Sequence, residues 1–229
     1  MAVGTGRPKA APPNAGGSES SDGSEVKPRI IAAIVAGGPA RRLGGVSKPL
    51  LTVGGRAIVD RQLEVLRPLF DDVLAVANDP TPWRARDVPV VPDRVEGAGP
   101  LGGIEAALSA AAGLGADAVV CVAGDLPFLS LALLKALRDR SADADAVAPR
   151  PDGRAEPLCA RYACRLLPAV TARLAANDYA VHELLAAVTV DWIDDAALAA
   201  LTTAGRTFFN VNTPDELRRA EELAQAAGG

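Results

Sequence analysis

The sequence predicts an α/β fold in three layers, with a mostly parallel central sheet between two sets of helices, and three features carry that prediction. The run RIIAAIVAG from Arg29 is almost continuously apolar, as a central strand covered on both faces must be. Short apolar runs and amphipathic stretches then alternate along the chain, the pattern of successive βαβ units. A glycine-rich turn closes the first run, where strand gives way to crevice in such folds.

The elements follow in order. Residues 1–28 are rich in Ala, Gly, Pro and Ser without an apolar period, and read as a mobile leader before one domain over 29–229. Arg56 to Leu69 has an amphipathic helical period, and DVLAVA at 72–77 is a strand. A short strand around Val88–Val91 precedes the helix LGGIEAALSAAAG. The strand DAVVCVAG at 117–124 leads to the helix SLALLKALRDR at 130–140. DAVAPR at 145–150 and PLCARY at 157–162 read as strands around a PDGR turn. ACRLLPAVTARLAA contains a helix interrupted or capped at Pro168; VHELLAAV is a helix and VTVDWI a strand. TPDELRRAEELAQAA carries an N-terminal signature: Thr213 as cap, Pro214 at the first position and Glu216 three residues after the cap. No internal repeat is present.

Composition narrows the function classes. The chain of 229 residues supports one sizeable core. Aromatics make up 3%, so aliphatic side chains do most of the packing. A formal charge of -4 argues against a general nucleic-acid or anionic-membrane binder while leaving room for a local basic pocket. No long uninterrupted apolar stretch and no secretory pattern stands in the sequence. Cys121, Cys159 and Cys164 have neither zinc-module nor disulfide spacing. A reducing cytoplasm suits them.

VAGGPARRLGGVSK at 35–48 sets four glycines, two arginines and a lysine after the first strand. Glycines let backbone N–H groups approach phosphate oxygens, and Arg42 and Lys48 would neutralise a polyphosphate, with Arg41 free to face solvent. The stretch is neither the GxxxxGK[ST] loop nor the GxGxxG fingerprint: Arg42 stands where the former needs glycine, and Pro49 follows Lys48. In VVCVAGDLPFLS, Asp125 follows a second central strand and could bring Mg2+ to the same crevice. Asp93, closing VVPD, is a candidate for metal, ribose or phosphate contact. GPLGGIEAAL makes Gly99 and Gly103 candidate pocket residues, although helix entry alone could demand them. Asn210 and Asn212 flank a final strand-to-helix transition with amides suited to a polar second substrate. Arg161 is an alternative phosphate contact, and Cys159 could wall the pocket. The sole histidine, His182, lies in YAVHELLAAV without a metal or catalytic pattern around it.

Together, VAGGPARRLGGVSKPLLTVGG, VVPD, GPLGG, AGDLPFL, EPLCARY and NVNTPDEL resemble the molybdenum cofactor guanylyltransferase family. The resemblance spans roughly residues 30–222. It implies a Rossmann-like nucleotidyltransferase fold that uses GTP and Mg2+, transfers GMP to the terminal phosphate of molybdenum-bound molybdopterin and releases pyrophosphate. It also implies roles for individual residues. Val35, Ala36, Gly37, Gly38 and Lys48 would bind GTP, and Asp93 would contact the nucleotide. Asp125 would hold the metal. Arg42 and Gly45 would line the reacting phosphates, and Asn210 and Asn212 the pterin side. Two positions depart from the family pattern. Ser47 stands where an aspartate is common, and Val76 where some relatives carry an asparagine for nucleotide contact, with Asn78 nearby to compensate. The resemblance further implies a protein that supplies molybdopterin and a molybdoenzyme or chaperone that receives the product; a monomer is the expected state. A cytidylyltransferase or sugar-phosphate nucleotidyltransferase, and a nucleotide-binding regulatory module without turnover, are the alternatives.

Overall fold

The computed structural model describes residues 1–2, 27–36, 47–95 and 97–226. Strand β1, Ile30–Val35, shows why the first apolar run has no polar face. Ile31, Ala33 and Val35 enter one apolar cluster while Ala32 and Ile34 enter another, on opposite sides of the pleat.

Lys48–Leu50 form a single 3₁₀ turn, and β2, Thr52–Val53, pairs antiparallel with β3, Arg56–Ala57. Helix α1 therefore begins at Ile58 and runs to Leu66, later than its amphipathic period suggests, because Arg56 and Ala57 are held in a hairpin. There follow β4, Val73–Val76, a short helix α2, Thr81–Arg84, and β5, Val90–Val91. Helix α3, Pro100–Gly113, crosses back to β6, Ala118–Ala123, which is followed by α4, Leu131–Asp139. Ser130 caps α4 by accepting the N–H of Leu133.

The second half contains β7, Ala146–Pro149; β8, Cys159–Ala163; α5, Leu167–Ala175; α6, Val181–Ala186; β9, Val190–Ile193; α7, Asp195–Leu201; and α8, Pro214–Gln225. Pro168 lies in the first turn of α5 and starts that helix rather than interrupting it. Helices α2 and α7 are additions to the sequence reading; α7 is capped by Asp194, which accepts from the N–H of Ala197. The capping box of α8 is complete, with Thr213 and Glu216 bonded to each other's backbone.

The seven strands run in the order β5-β4-β1-β6-β8-β7-β9. Only β8 opposes its neighbours, so the sheet is mostly parallel, as predicted. Helices α3, α5 and α6 cover one face, and α1, α4 and α7 the other. A smaller cluster of Leu51, Val53, Ile58, Phe128, Val211 and Ala220 seats α8 and the hairpin against the body. The chain moves outward from β1 to β4 and β5, then returns through α3 to the other side of β1. That reversal puts a crevice at the carboxyl ends of β1 and β6, which end side by side with Val35 opposite Ala123. Among the described residues no helix is long and apolar enough to cross a membrane.

Candidate active site

The crevice at the β1–β6 reversal encloses about 450 Å³. Val35 and Ala36 form its floor on one side, and Ala123, Gly124 and Asp125 on the other. The two strand ends approach closely because Gly124 has no side chain. A Cβ there would stand 2.9 Å from the Cβ of Ala36. The Gly124 N–H donates to the Val35 carbonyl at 2.9 Å, tying the strand ends together.

Asp125 is thus delivered by a bonded strand end, and its turn is held from beneath as well. Gln62 on α1, almost wholly buried, donates to the carbonyls of Ala123 at 2.8 Å and Leu126 at 3.0 Å. Arg61 donates to Pro127 at 3.0 Å and lies over the Phe128 ring. The Asp125 carbonyl accepts from Val211 at 3.0 Å, which docks the segment before α8 onto the same turn. Val211 is fully buried, while Asn210 and Asn212 on either side line the crevice. These asparagines stand on a non-strand segment, correcting the expectation of a final strand before the helix.

Lys48 enters from the 3₁₀ turn opposite. Its Nζ is 2.5 Å from Asn212 Oδ1 and 3.3 Å from Asp125 Oδ2. The Asn212 N–H in turn donates to Glu216 at 2.7 Å. That bond, with a second from Thr213 and the nearby Lys48 ammonium, lowers the Glu216 carboxyl below its ordinary range. A cation, a carboxylate and an amide from three distant parts of the chain thereby meet at one point. Ser47 lines the crevice beside Lys48.

The remaining candidates among the described residues are dispersed. Gly37, Gly38, Arg41, Arg42 and Gly45 lie outside the described residues. Asp93 follows β5, on the far side of β4. Its backbone N–H donates to Asn78 at 3.1 Å, and its carboxylate accepts from Val95 at 3.2 Å. Burial raises its carboxyl above the ordinary range, only partly offset by the Val95 bond. Gly99 caps α3 with φ 59°, in the left-handed half of backbone space, where a side chain is strained.

Several candidates belong to the scaffold. Gly103 packs on β1: a Cβ would meet Val35 Cγ1 at 2.4 Å, so the glycine serves helix-to-sheet packing rather than a pocket wall. Val76 is fully buried in the sheet core, which removes its side chain from any nucleotide contact. Arg161 is also buried, and its guanidinium donates to the carbonyls of Arg138, Arg140 and Ser141 at the end of α4, so it is no phosphate contact. Cys159 lies in the α1–α4 cluster rather than the crevice wall, with burial pushing its thiol up to about 12. His182 is exposed beside Glu183.

Three contributors escaped the sequence reading. Gln62 looks like any polar position on an amphipathic helix, and Gly124 like the end of a strand. Glu156 opens the stretch EPLCARY but was given no role, because strand-end logic searches for residues after a strand. The reversed direction of β8 instead brings the residues before it, Glu156, Pro157 and Leu158, to the crevice.

Comparison with known proteins agrees with this geometry. Residues 32–192 match the family described as MobA-like NTP transferase domain. A probable molybdenum cofactor guanylyltransferase of Pelotomaculum thermopropionicum is 34% identical over 84% of this chain and 92% of its own length. The molybdenum cofactor guanylyltransferase of Mesorhizobium japonicum is 37% identical over 86% of this chain and 98% of its own. The crystal structure of molybdopterin-guanine dinucleotide biosynthesis protein A from Archaeoglobus fulgidus superposes with a TM-score of 0.71 at 27% identity, covering 85% of this chain and 98% of that one. With residues 32–192 matched by the family model and relatives of 34% and 37% identity covered over more than nine-tenths of their own length, the chain belongs to the MobA-like NTP transferase family and, within it, to the molybdenum cofactor guanylyltransferases.

Proposed function

We propose that this chain transfers GMP from GTP to molybdenum-bound molybdopterin, forming the guanine dinucleotide cofactor. The observation that carries the reading is the meeting of Lys48, Asp125 and Asn212 at the β1–β6 reversal. In the reaction a terminal phosphate oxygen of the acceptor forms a bond to the α-phosphorus of GTP. The bond from that phosphorus to the bridging oxygen breaks, and pyrophosphate leaves with the electron pair. The attacking phosphate is already largely deprotonated near neutral pH. Alignment and charge neutralisation are therefore the protein's main tasks, and no histidine is required.

Lys48 would place its ammonium against the oxygens that gain charge. Its partners Asp125 and Asn212 hold that ammonium in the crevice. Asn210 and Asn212 would orient the acceptor, while Val35, Ala36 and Asp93 would frame the nucleotide. Gly37, Gly38, Arg42 and Gly45 would complete the phosphate cradle. The donor set fits Mg2+: a hard carboxylate, Asp125, opens on a crevice sized for phosphates, and magnesium commonly takes one or two carboxylates with water and substrate oxygens. Among the described residues no cluster of three metal-ligating side chains exists. Bound there, the metal would neutralise phosphate charge.

Residues 29–229 would act as one monomeric domain in the cytoplasm. It would receive molybdopterin from a supplying protein and pass product to a molybdoenzyme or its chaperone. The test is a product assay crossing acceptors with nucleotides. Pyrophosphate release should require molybdenum-loaded molybdopterin, GTP and Mg2+, and chelation should stop it. Equal turnover with CTP, or dependence on a sugar phosphate, defeats the assignment. D125A should lower metal-limited turnover by about 10²-fold or more; unchanged turnover removes Asp125 from metal binding.

A further inference from the structure

Among the described residues the Glu156 carboxylate has no partner. It lines the crevice, and among the described residues no hydrogen bond or ion pair satisfies its side chain. Its backbone is nevertheless fixed. The Glu156 N–H donates to Pro149 at 3.0 Å, and its carbonyl accepts from Cys159 at 3.1 Å. Burial raises its carboxyl above the ordinary range. A half-buried carboxylate held in this way can accept hydrogen bonds from donors on a ligand.

Its position says which part of a ligand arrives there. Glu156 precedes β8, on the β6 side of the reversal and away from β4 and β5. It also borders a second cavity of about 750 Å³ bounded by Arg154, Thr203, Arg206 and Phe209. A molecule whose phosphate meets Lys48 and Asp125 can therefore extend past Glu156 into further space. Resting on the guanylyl-transfer reading above, we propose that Glu156 selects the acceptor's ring, both carboxylate oxygens accepting from the amino and adjacent ring N–H groups of a 2-amino-4-oxopyrimidine edge. A planar carboxylate offers two parallel acceptors, and that edge offers two parallel donors, a pairing that is strong and directional. Guanine carries the same edge. Because Asp93, read above as framing the nucleotide, lies on the β4–β5 side, the β6–β8 side with Glu156 falls to the pterin rather than to the nucleotide base.

The experiment measures binding of 6-hydroxymethylpterin phosphate and of its lumazine counterpart, in which oxygen replaces the 2-amino group, to the full chain. Wild type should prefer the pterin by roughly 10- to 100-fold, the worth of one or two hydrogen bonds to a charged group. E156Q should shrink that preference to within about threefold, because its amide N–H₂ opposes a donor. E156D, which keeps the charge, should retain part of it. GTP affinity and its preference over xanthosine triphosphate should stay unchanged in E156Q. Equal or unmeasurable affinity of wild type for both pteridines overturns the proposal. So does an intact pteridine preference in E156Q, a collapse of GTP preference in its place, or a change confined to the Mg2+ requirement. Ring discrimination by a wild-type chain that fails to transfer GMP would sink the reaction while sustaining this role for Glu156.

Discussion

Lys48 is the residue on which catalysis and stability make separable claims. Its pair with Asp125 is partly exposed and 3.3 Å long, and such pairs contribute about 0–1 kcal/mol to folding. Stabilising charge in a transition state is a larger effect, about 2.7–4 kcal/mol for one well-placed donor. K48A should therefore lower kcat by about 10²- to 10³-fold while moving the melting temperature little. Steady-state pyrophosphate release beside thermal unfolding checks both halves. Lys48, Asp125, Asn210 and Asn212 were legible as chemistry because each stands where an apolar run or helix signal breaks. Glu156 and Gln62 were not. One depends on the direction of a strand and the other on what lies beneath a helix, and neither leaves a local mark.

Elements bring these residues together through close backbone approach. Helix α3 lies against β1 because Gly103 presents no side chain to Val35, and its first turn lies against Asp93 because Gly102 presents none: a Cβ there would stand 2.9 Å from the carboxylate. The sequence places the glycines of GPLGG at the start of a helix but does not distinguish pocket from packing. G103A forces a methyl group to within 2.4 Å of Val35 Cγ1. Overpacking of this kind costs about 1–3 kcal/mol, so the urea midpoint should fall with an unchanged slope. Because Val35 also floors the crevice, GTP affinity should fall with it. A midpoint equal to wild type would mean that helix and strand separate more easily than this packing allows.

At the scale of the molecule, the first α-helix is tied to the segment after α2 by a two-pronged pair. Arg86 donates to Asp60 Oδ1 at 2.5 Å and to Oδ2 at 2.8 Å. The Arg86 hydrogen bonds hold the Asp60 carboxyl below its ordinary range despite partial burial. A carboxylate with a lowered folded value stabilises fully above its unfolded value of about 3.9, and loses that contribution as pH falls through the folded one. D60N should accordingly lower the melting temperature at pH 7 more than at pH 2.5. Thermal unfolding at the two pH values measures the difference, and an equal loss at both would leave the pair without a charge contribution.

By itself, the sequence determined the alternation of strands and helices, the central position of the first apolar run and the chemical kinds gathered at its end. Those follow from periodicity, glycine placement and side-chain type, all of which act over a few residues. Only the tertiary structure decided that β8 runs backwards, that Gly103 and Val76 belong to the scaffold, that Arg161 bonds the end of α4, and that Glu156 faces the crevice. Each of those outcomes depends on which distant segment packs alongside, and pairing across a sheet is set by burial summed over the whole core rather than by any short stretch of chain.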